Sequence, residues 1–133
     1  MIFLDTSFLI SFYNEKDENH ARAWEIMHSL IEGKYSDVCI SDYIFDECAT
    51  VIFMRLKDLE KTIVICEAIK KVTSYDIEKE VFDQAWEIFK NQKDTKFSFT
   101  DCTIIALMKE KGIKKLATFD KDFKKVKEIK VIE

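Results

Sequence analysis

Proline is absent from this 133-residue sequence, and glycine occurs only twice, at Gly33 and Gly112. No G-x-G-x-x-G or G-K-[ST] run is present and neither glycine falls at a strand-to-helix turn, which excludes a phosphate-cradling nucleotide loop. No apolar run is long enough to span a bilayer. The N-terminal stretch is broken by Asp5 and lacks both a basic lead and a small-residue cleavage site. The expectation is a cytoplasmic protein with no membrane contact. Cys39, Cys48, Cys66 and Cys102 form no C-x-x-C pair, which argues against zinc and for reduced core residues. The two histidines, His20 and His28, read as surface residues of one helix, and no Ser-His-Asp or Cys-His nucleophile is apparent. There is no internal repeat, low-complexity tract or linker.

What remains is a globular composition, 47% hydrophobic and 35% charged, of a length that suits one domain over 1–133. Lysine, glutamate and isoleucine are abundant, a leaning shared with heat-adapted proteins. The net charge of -4 argues against nucleic acid, but it is unevenly spread. Residues 90–133 hold 12 lysines against 7 acids, while residues 1–89 hold 9 basic and 18 acidic side chains. A basic patch in the last third can hold a phosphate backbone, or it is a solvated lysine face.

Short apolar runs at 1–4, 38–40, 72–75, 115–119 and 130–132 read as strands. Helices are expected between them. One is capped by Asp17 and carries Trp24, Met27 and Ile31 as its core stripe, with Gly33 as its stop. A second starts at Ser41 or Asp42 and buries Ile44, Phe45, Cys48, Val51 and Ile52. A third covers 58–71 with Leu59, Ile63, Cys66 and Ile69 inward. A fourth buries Val81 or Phe82, Ala85, Trp86 and Phe89. A fifth follows a polar loop, begins at Ser98 or Thr100, and stops at Gly112. Strands alternating with helices imply an α/β fold with a mainly parallel sheet.

Four acids are placed unlike surface residues. Asp5 and Asp120 follow apolar strands, and ligands of parallel sheets bind beyond strand carboxyl ends. Glu47 shares a helix face with Ile44 and Val51, where an unpaired charge is costly. Asp101 opens the helix after the polar loop. Helix N-termini and strand C-termini share one edge of a βαβ fold, so the four carboxylates converge there. Singly, each has an ordinary role: capping, a helix dipole or an ion pair. Together they repel one another unless a cation intervenes, and an all-oxygen donor set selects Mg²⁺ or Mn²⁺.

The segments MIFLDTS (1–7), IFDECATV (44–51), FSFTD (97–101) and ATFDKDF (117–123) carry a resemblance to the PIN-domain nucleases, and among these to the VapC-like toxins. The resemblance covers nearly the whole chain. It implies a three-layer αβα domain, Mg²⁺ or Mn²⁺, and endonuclease action on RNA. Asp5, Glu47, Asp101 and Asp120 match the family's acidic quartet, and Ser7 or Thr6 its supporting hydroxyl. Asp122 is a further supporting acid in a turn that the family uses variably. Asp5 and Asp101 are the expected metal ligands; Glu47 and Asp120 would hold coordinated water or a second ion. The expected products carry a 5′-phosphate and a 3′-hydroxyl. Lys93, Lys96 and Lys121 lie nearest the acids in sequence and are candidates to hold the RNA backbone, while Phe97 and Phe99 are candidates to stack on bases. A cognate antitoxin and a homodimer are implied by resemblance only.

Rival readings are weaker. An aspartyl phosphatase needs a second Asp two residues after Asp5, where Ser7 stands. A receiver-type signalling domain needs an acidic pair at the end of the first strand, where Asp5 stands alone. A PIN-like scaffold that binds RNA or protein without cutting, and a housekeeping RNA-processing nuclease, are the alternatives that keep the same fold.

Overall fold

The computed structural model describes residues 1–33 and 37–133. Five short strands, β1 (Ile2–Leu4), β2 (Val38–Ser41), β3 (Thr73–Tyr75), β4 (Lys115–Ala117) and β5 (Lys130–Ile132), form one sheet in the order β3-β2-β1-β4-β5. Every pairing is parallel, with Ile2 opposite Val38 on one side and Leu4 opposite Ala117 on the other. Six α-helices connect them: α1 (Thr6–Tyr13), α2 (His20–Ile31), α3 (Asp42–Leu56), α4 (Leu59–Ile69), α5 (Lys79–Lys90) and α6 (Phe99–Lys111). A 3-10 turn spans Lys121–Lys125.

The strand order explains the layers. From β1 the chain steps outward through β2 to β3, then returns past β1 to β4. Parallel crossovers are right-handed, so the reversal sends α5 and α6 to the opposite face from α1–α4. The result is the expected three-layer α/β/α arrangement. Ile2, Phe3 and Leu4 are buried on both faces of the central strand, as a doubly covered sheet requires.

Local chemistry fixes the helix ends near the sheet's carboxyl edge. The Ser41 hydroxyl accepts from the Ile44 amide at 3.2 Å and starts α3. Ser98 and Asp101 form a reciprocal capping box at the start of α6. Gly112 ends α6 at φ 68°, a left-handed conformation that glycine adopts without a Cβ penalty.

Several expectations are corrected. Asp17 does not cap a helix: α2 starts at His20, and the Asp17 carboxylate instead takes the Ser11 hydroxyl (2.9 Å) and the Asn19 amide (2.8 Å). The inward stripe of α2 is Ala23, Ile26 and Leu30, so the predicted stripe is one residue out of phase; Trp24 is 53% exposed and Ile31 75%. In α5 it is Val81 and Ala85 that are buried, while Phe82, Trp86 and Phe89 are exposed. In α4, Thr62, Cys66 and Ile69 face in, and Leu59 and Ile63 face out. Small residues such as Ala23 and Ala85 allow a helix to lie close on its neighbour, which leaves the adjacent large side chains at the rim. Helix α1 had no predicted counterpart. His20 is only half exposed, its Nδ1 sitting 2.8 Å from the Ser11 carbonyl oxygen. The four cysteines are free and buried as expected.

Candidate active site

The reversal in strand order occurs at β1 and β4, and a crevice opens beyond the carboxyl ends of such a pair. Asp5 directly follows β1; Asp120 follows β4 after Thr118 and Phe119, because β4 ends at Ala117 rather than at the expected residue 119. The backbone bond from the Asp5 amide to the Ala117 carbonyl (3.0 Å) locks the two segments together.

Asp5 is the centre of the network. Its carboxylate is 3% exposed yet accepts three hydrogen bonds: from the Thr6 amide (2.7 Å), the Ser7 hydroxyl (2.9 Å) and the Thr118 hydroxyl (2.6 Å). Burial raises its carboxyl above the usual range; the three bonds oppose this, and the Glu47 charge adds to the rise. The Ser7 and Thr118 oxygens lie 3.1 Å apart. Ser7 also accepts from the Phe119 amide (3.1 Å), and Thr118 from the Asp120 amide (3.0 Å). Both hydroxyls thus tie β1 to the segment that carries Asp120. Of the two candidate supporting hydroxyls it is Ser7 that serves Asp5. Thr6 contributes its amide, and its hydroxyl is buried against the Cys48 thiol with no oxygen or nitrogen partner among the described residues. Thr118 was not foreseen as a site residue.

Asp101 is half-buried at the first turn of α6, where one oxygen accepts from the Ser98 amide (2.9 Å). Burial pushes its carboxyl up to about 6, with Asp5 and Asp120 adding to the rise and the Ser98 bonds opposing it. Glu47 is half-buried on α3 and makes no hydrogen bond or ion pair among the described residues. Asp120 caps the 3-10 turn through the Asp122 amide (3.0 Å). The four acids therefore share one edge and one electrostatic field.

The surrounding candidates divide. Asp122 is a brace: its oxygens take the Lys96 amide (3.0 Å) and the Lys125 ammonium (3.1 Å), which hold its carboxyl below the usual range. Lys121 is exposed immediately after Asp120, and Lys96 is exposed beside Asp122. Lys93 lines a separate depression with Ile88, Lys125 and Val126 that holds none of the four acids. Phe97 is buried against Phe123 (ring centroids 4.9 Å) and is a core residue unable to stack on bases. Phe99 is half-buried beneath Phe82 at 4.9 Å. Arg55, also not foreseen, lines an open depression together with Ser7 and Asp120.

Among the described residues no group of three or more His, Cys, Asp or Glu side chains is gathered closely enough to hold a metal ion. The donor chemistry nonetheless suits a hard divalent cation. All four groups offer carboxylate oxygens, and two of them are held toward their neutral forms by burial and mutual repulsion, a cost that a cation removes.

The PIN domain family model matches residues 2–129, and the chain belongs to that family. Within it, the chain is similar to VapC ribonucleases. It is 32% identical over 126 residues to the 23S rRNA-specific endonuclease VapC20 of Mycobacterium tuberculosis, covering 92% of each chain. It is 27% identical over 121 residues to a VapC ribonuclease of Archaeoglobus fulgidus, covering 90% of this chain and 77% of that one. The crystal structure of VapC20, described as a sarcin-ricin loop cleaving toxin, superposes with a TM-score of 0.85 at 28% identity, covering 96% and 95% of the two chains. The VapBC2 complex of Rickettsia felis shares the fold at a TM-score of 0.72 and 16% identity, over 99% and 98% of the chains. Among the described residues no helix is long and apolar enough to cross a membrane.

Proposed function

We propose that the protein is a divalent-metal-dependent endoribonuclease and the toxin of a toxin–antitoxin pair. The observation that carries the reading is the electrostatic coupling beyond β1: Asp5, buried and braced by three donors, feels the charge of Glu47, and Asp101 feels those of Asp5 and Asp120. Asp5 and Asp101 would hold Mg²⁺ or Mn²⁺, which supplies countercharge for the scissile phosphate and lowers the pKa of a water. Ser7 and Thr118 orient the Asp5 carboxylate and oppose the effect of its burial. Glu47 and Asp120 orient the attacking water. Its oxygen bonds to phosphorus, the P–O3′ bond breaks, and O3′ leaves as a hydroxyl, so the products carry a 5′-phosphate and a 3′-hydroxyl. Lys96 and Lys121, exposed beside Asp122 and Asp120, would hold the backbone.

Partners follow from relatives and surface together. Similarity to chains solved in toxin–antitoxin complexes supports a protein inhibitor. The exposed apolar side chains Phe53, Met54, Leu59, Ile63 and Val64 on the α3–α4 hairpin give such a partner a surface. The exposed stripe Phe82, Trp86 and Phe89 on α5 supports pairing with a second copy.

The test is incubation of purified protein with ribosomal, transfer and messenger RNA in Mg²⁺, Mn²⁺ or EDTA, beside Asp5→Asn. Metal-dependent cuts bearing 5′-phosphates and absent in the variant are expected. No cut by folded wild-type protein in any RNA class would leave the non-catalytic scaffold as the better reading.

A further inference from the structure

Lys96 and Lys121, beside Asp122 and Asp120, offer the substrate point charges; a forked donor would have to be an arginine, and the sequence holds only two. Arg22 is engaged, with Glu25 at 2.9 Å and with the Glu133 carbonyl oxygen. Arg55 has no hydrogen bond or ion pair among the described residues. Its side chain lines a depression of about 210 Å³ with Ser7, Ser11, Asp17, Asn19 and Asp120. Ile10 and Phe119 complete the lining, and Arg55 also borders the neighbouring depression that Asn14, just past α1, lines. Arg55 lies in the last turn of α3, where any cation complements the helix dipole. That role does not need a guanidinium or a place in this depression.

We propose that Arg55 is a substrate-binding residue whose guanidinium takes a backbone phosphate of the RNA adjoining the acidic edge. A guanidinium offers two parallel N–H donors to a phosphate, whereas an ammonium offers a point charge. The nearby carboxylates would repel an approaching polyanion, and among the described residues Arg55 is the one basic side chain lining this depression. The inference rests on the nuclease reading.

Full-length wild-type, Arg55→Ala and Arg55→Lys proteins would be titrated with a single-stranded oligoribonucleotide in EDTA across a salt series, and the same RNA followed for cleavage in Mg²⁺. Arg55→Ala is expected to weaken binding about 10-fold, the loss of one charged hydrogen-bonding contact. It should also flatten the plot of log K against log salt by about 0.7, the loss of one phosphate contact. Arg55→Lys should keep the slope but recover only part of the affinity. KM should rise in both variants with kcat little changed. Unchanged affinity and slope in Arg55→Ala, with cutting by wild type intact, would overturn the inference alone. Weaker binding at an unchanged slope would overturn it too, since the residue would then act by packing. Binding in EDTA that shows the predicted slope change, with no cleavage in Mg²⁺ of this RNA or of ribosomal, transfer or messenger RNA, would support the Arg55 contact and sink the nuclease reading instead.

Discussion

Replacing Asp101 with Asn should make the metal-free protein more stable while removing its activity. A carboxyl raised from 3.8 to about 6 binds its proton more tightly in the folded state than in the unfolded chain. Below about pH 4 both states hold the proton, so Asp101 costs nothing. As pH rises through that interval the unfolded chain releases its proton first, and the native state is progressively penalised. Two pH units at ~1.4 kcal/mol each give about 3 kcal/mol above pH 7. Solvent reaching the exposed part of the side chain, and loss of the favourable charge at the α6 N-terminus, together remove about 1 kcal/mol. The expected net gain is about 2 kcal/mol. Asparagine keeps the capping box, because its side-chain carbonyl can accept from the Ser98 amide. Urea unfolding in EDTA at pH 7.5 and at pH 4 measures the effect: Asp101→Asn should exceed wild type by about 2 kcal/mol at the higher pH, or roughly 6–10 °C in Tm, and match it at the lower. Mg²⁺ should then stabilise wild type and not the variant. A variant less stable than wild type at pH 7.5, or a gain that persists at pH 4, would refute the electrostatic reasoning.

Further expectations concern the supports of the site. Thr118→Val removes the 2.6 Å donor to Asp5 and the acceptor of the Asp120 amide; it should cost about 1–3 kcal/mol in urea unfolding and lower cleavage, with Thr118→Ser restoring most of both. Burial pushes the thiols of Cys39 and Cys102 up to about 11 and that of Cys48 up to about 12, so a thiol-reactive dye at pH 8 should leave these three untouched until guanidinium exposes them. Trp86→Glu, at a site 48% exposed, should convert a dimer to monomer in sedimentation without loss of helix by circular dichroism; a wild-type monomer would refute this use of the α5 stripe.

The parts of the fold that could be read from the sequence were those signalled locally. The runs IFL, closed by Asp5, and KLA, closed by Thr118, mark strands, and Ser41 and Ser98 mark helix starts. Asp5, Glu47, Asp101 and Asp120 followed from their places next to such elements. Phase was harder. Helices α2 and α5 each carry two neighbouring apolar stripes, and the larger side chains are the misleading ones: Trp24 and Trp86 lie outside while Ala23 and Ala85 lie inside. Helix α1 escaped because TSFLISFY is apolar around most of its circumference and shows no clear period. Thr118 and Arg55 were invisible for another reason. Their roles exist only because β4 adjoins β1 and α3 reaches the same edge, and strand order is a long-range property that no local pattern encodes.

The central claim is that four separated carboxylates act as one cation site. Titration of Mn²⁺ into the protein, followed by the electron paramagnetic resonance of the free ion, tests it without any assumption about the RNA. The account predicts saturable binding by wild type that weakens sharply in Asp5→Asn and in Asp101→Asn, and that falls as pH drops through about 6, where Asp101 takes up its proton. Binding that is equal in all three folded proteins, or no binding by wild type at millimolar Mn²⁺, would contradict it.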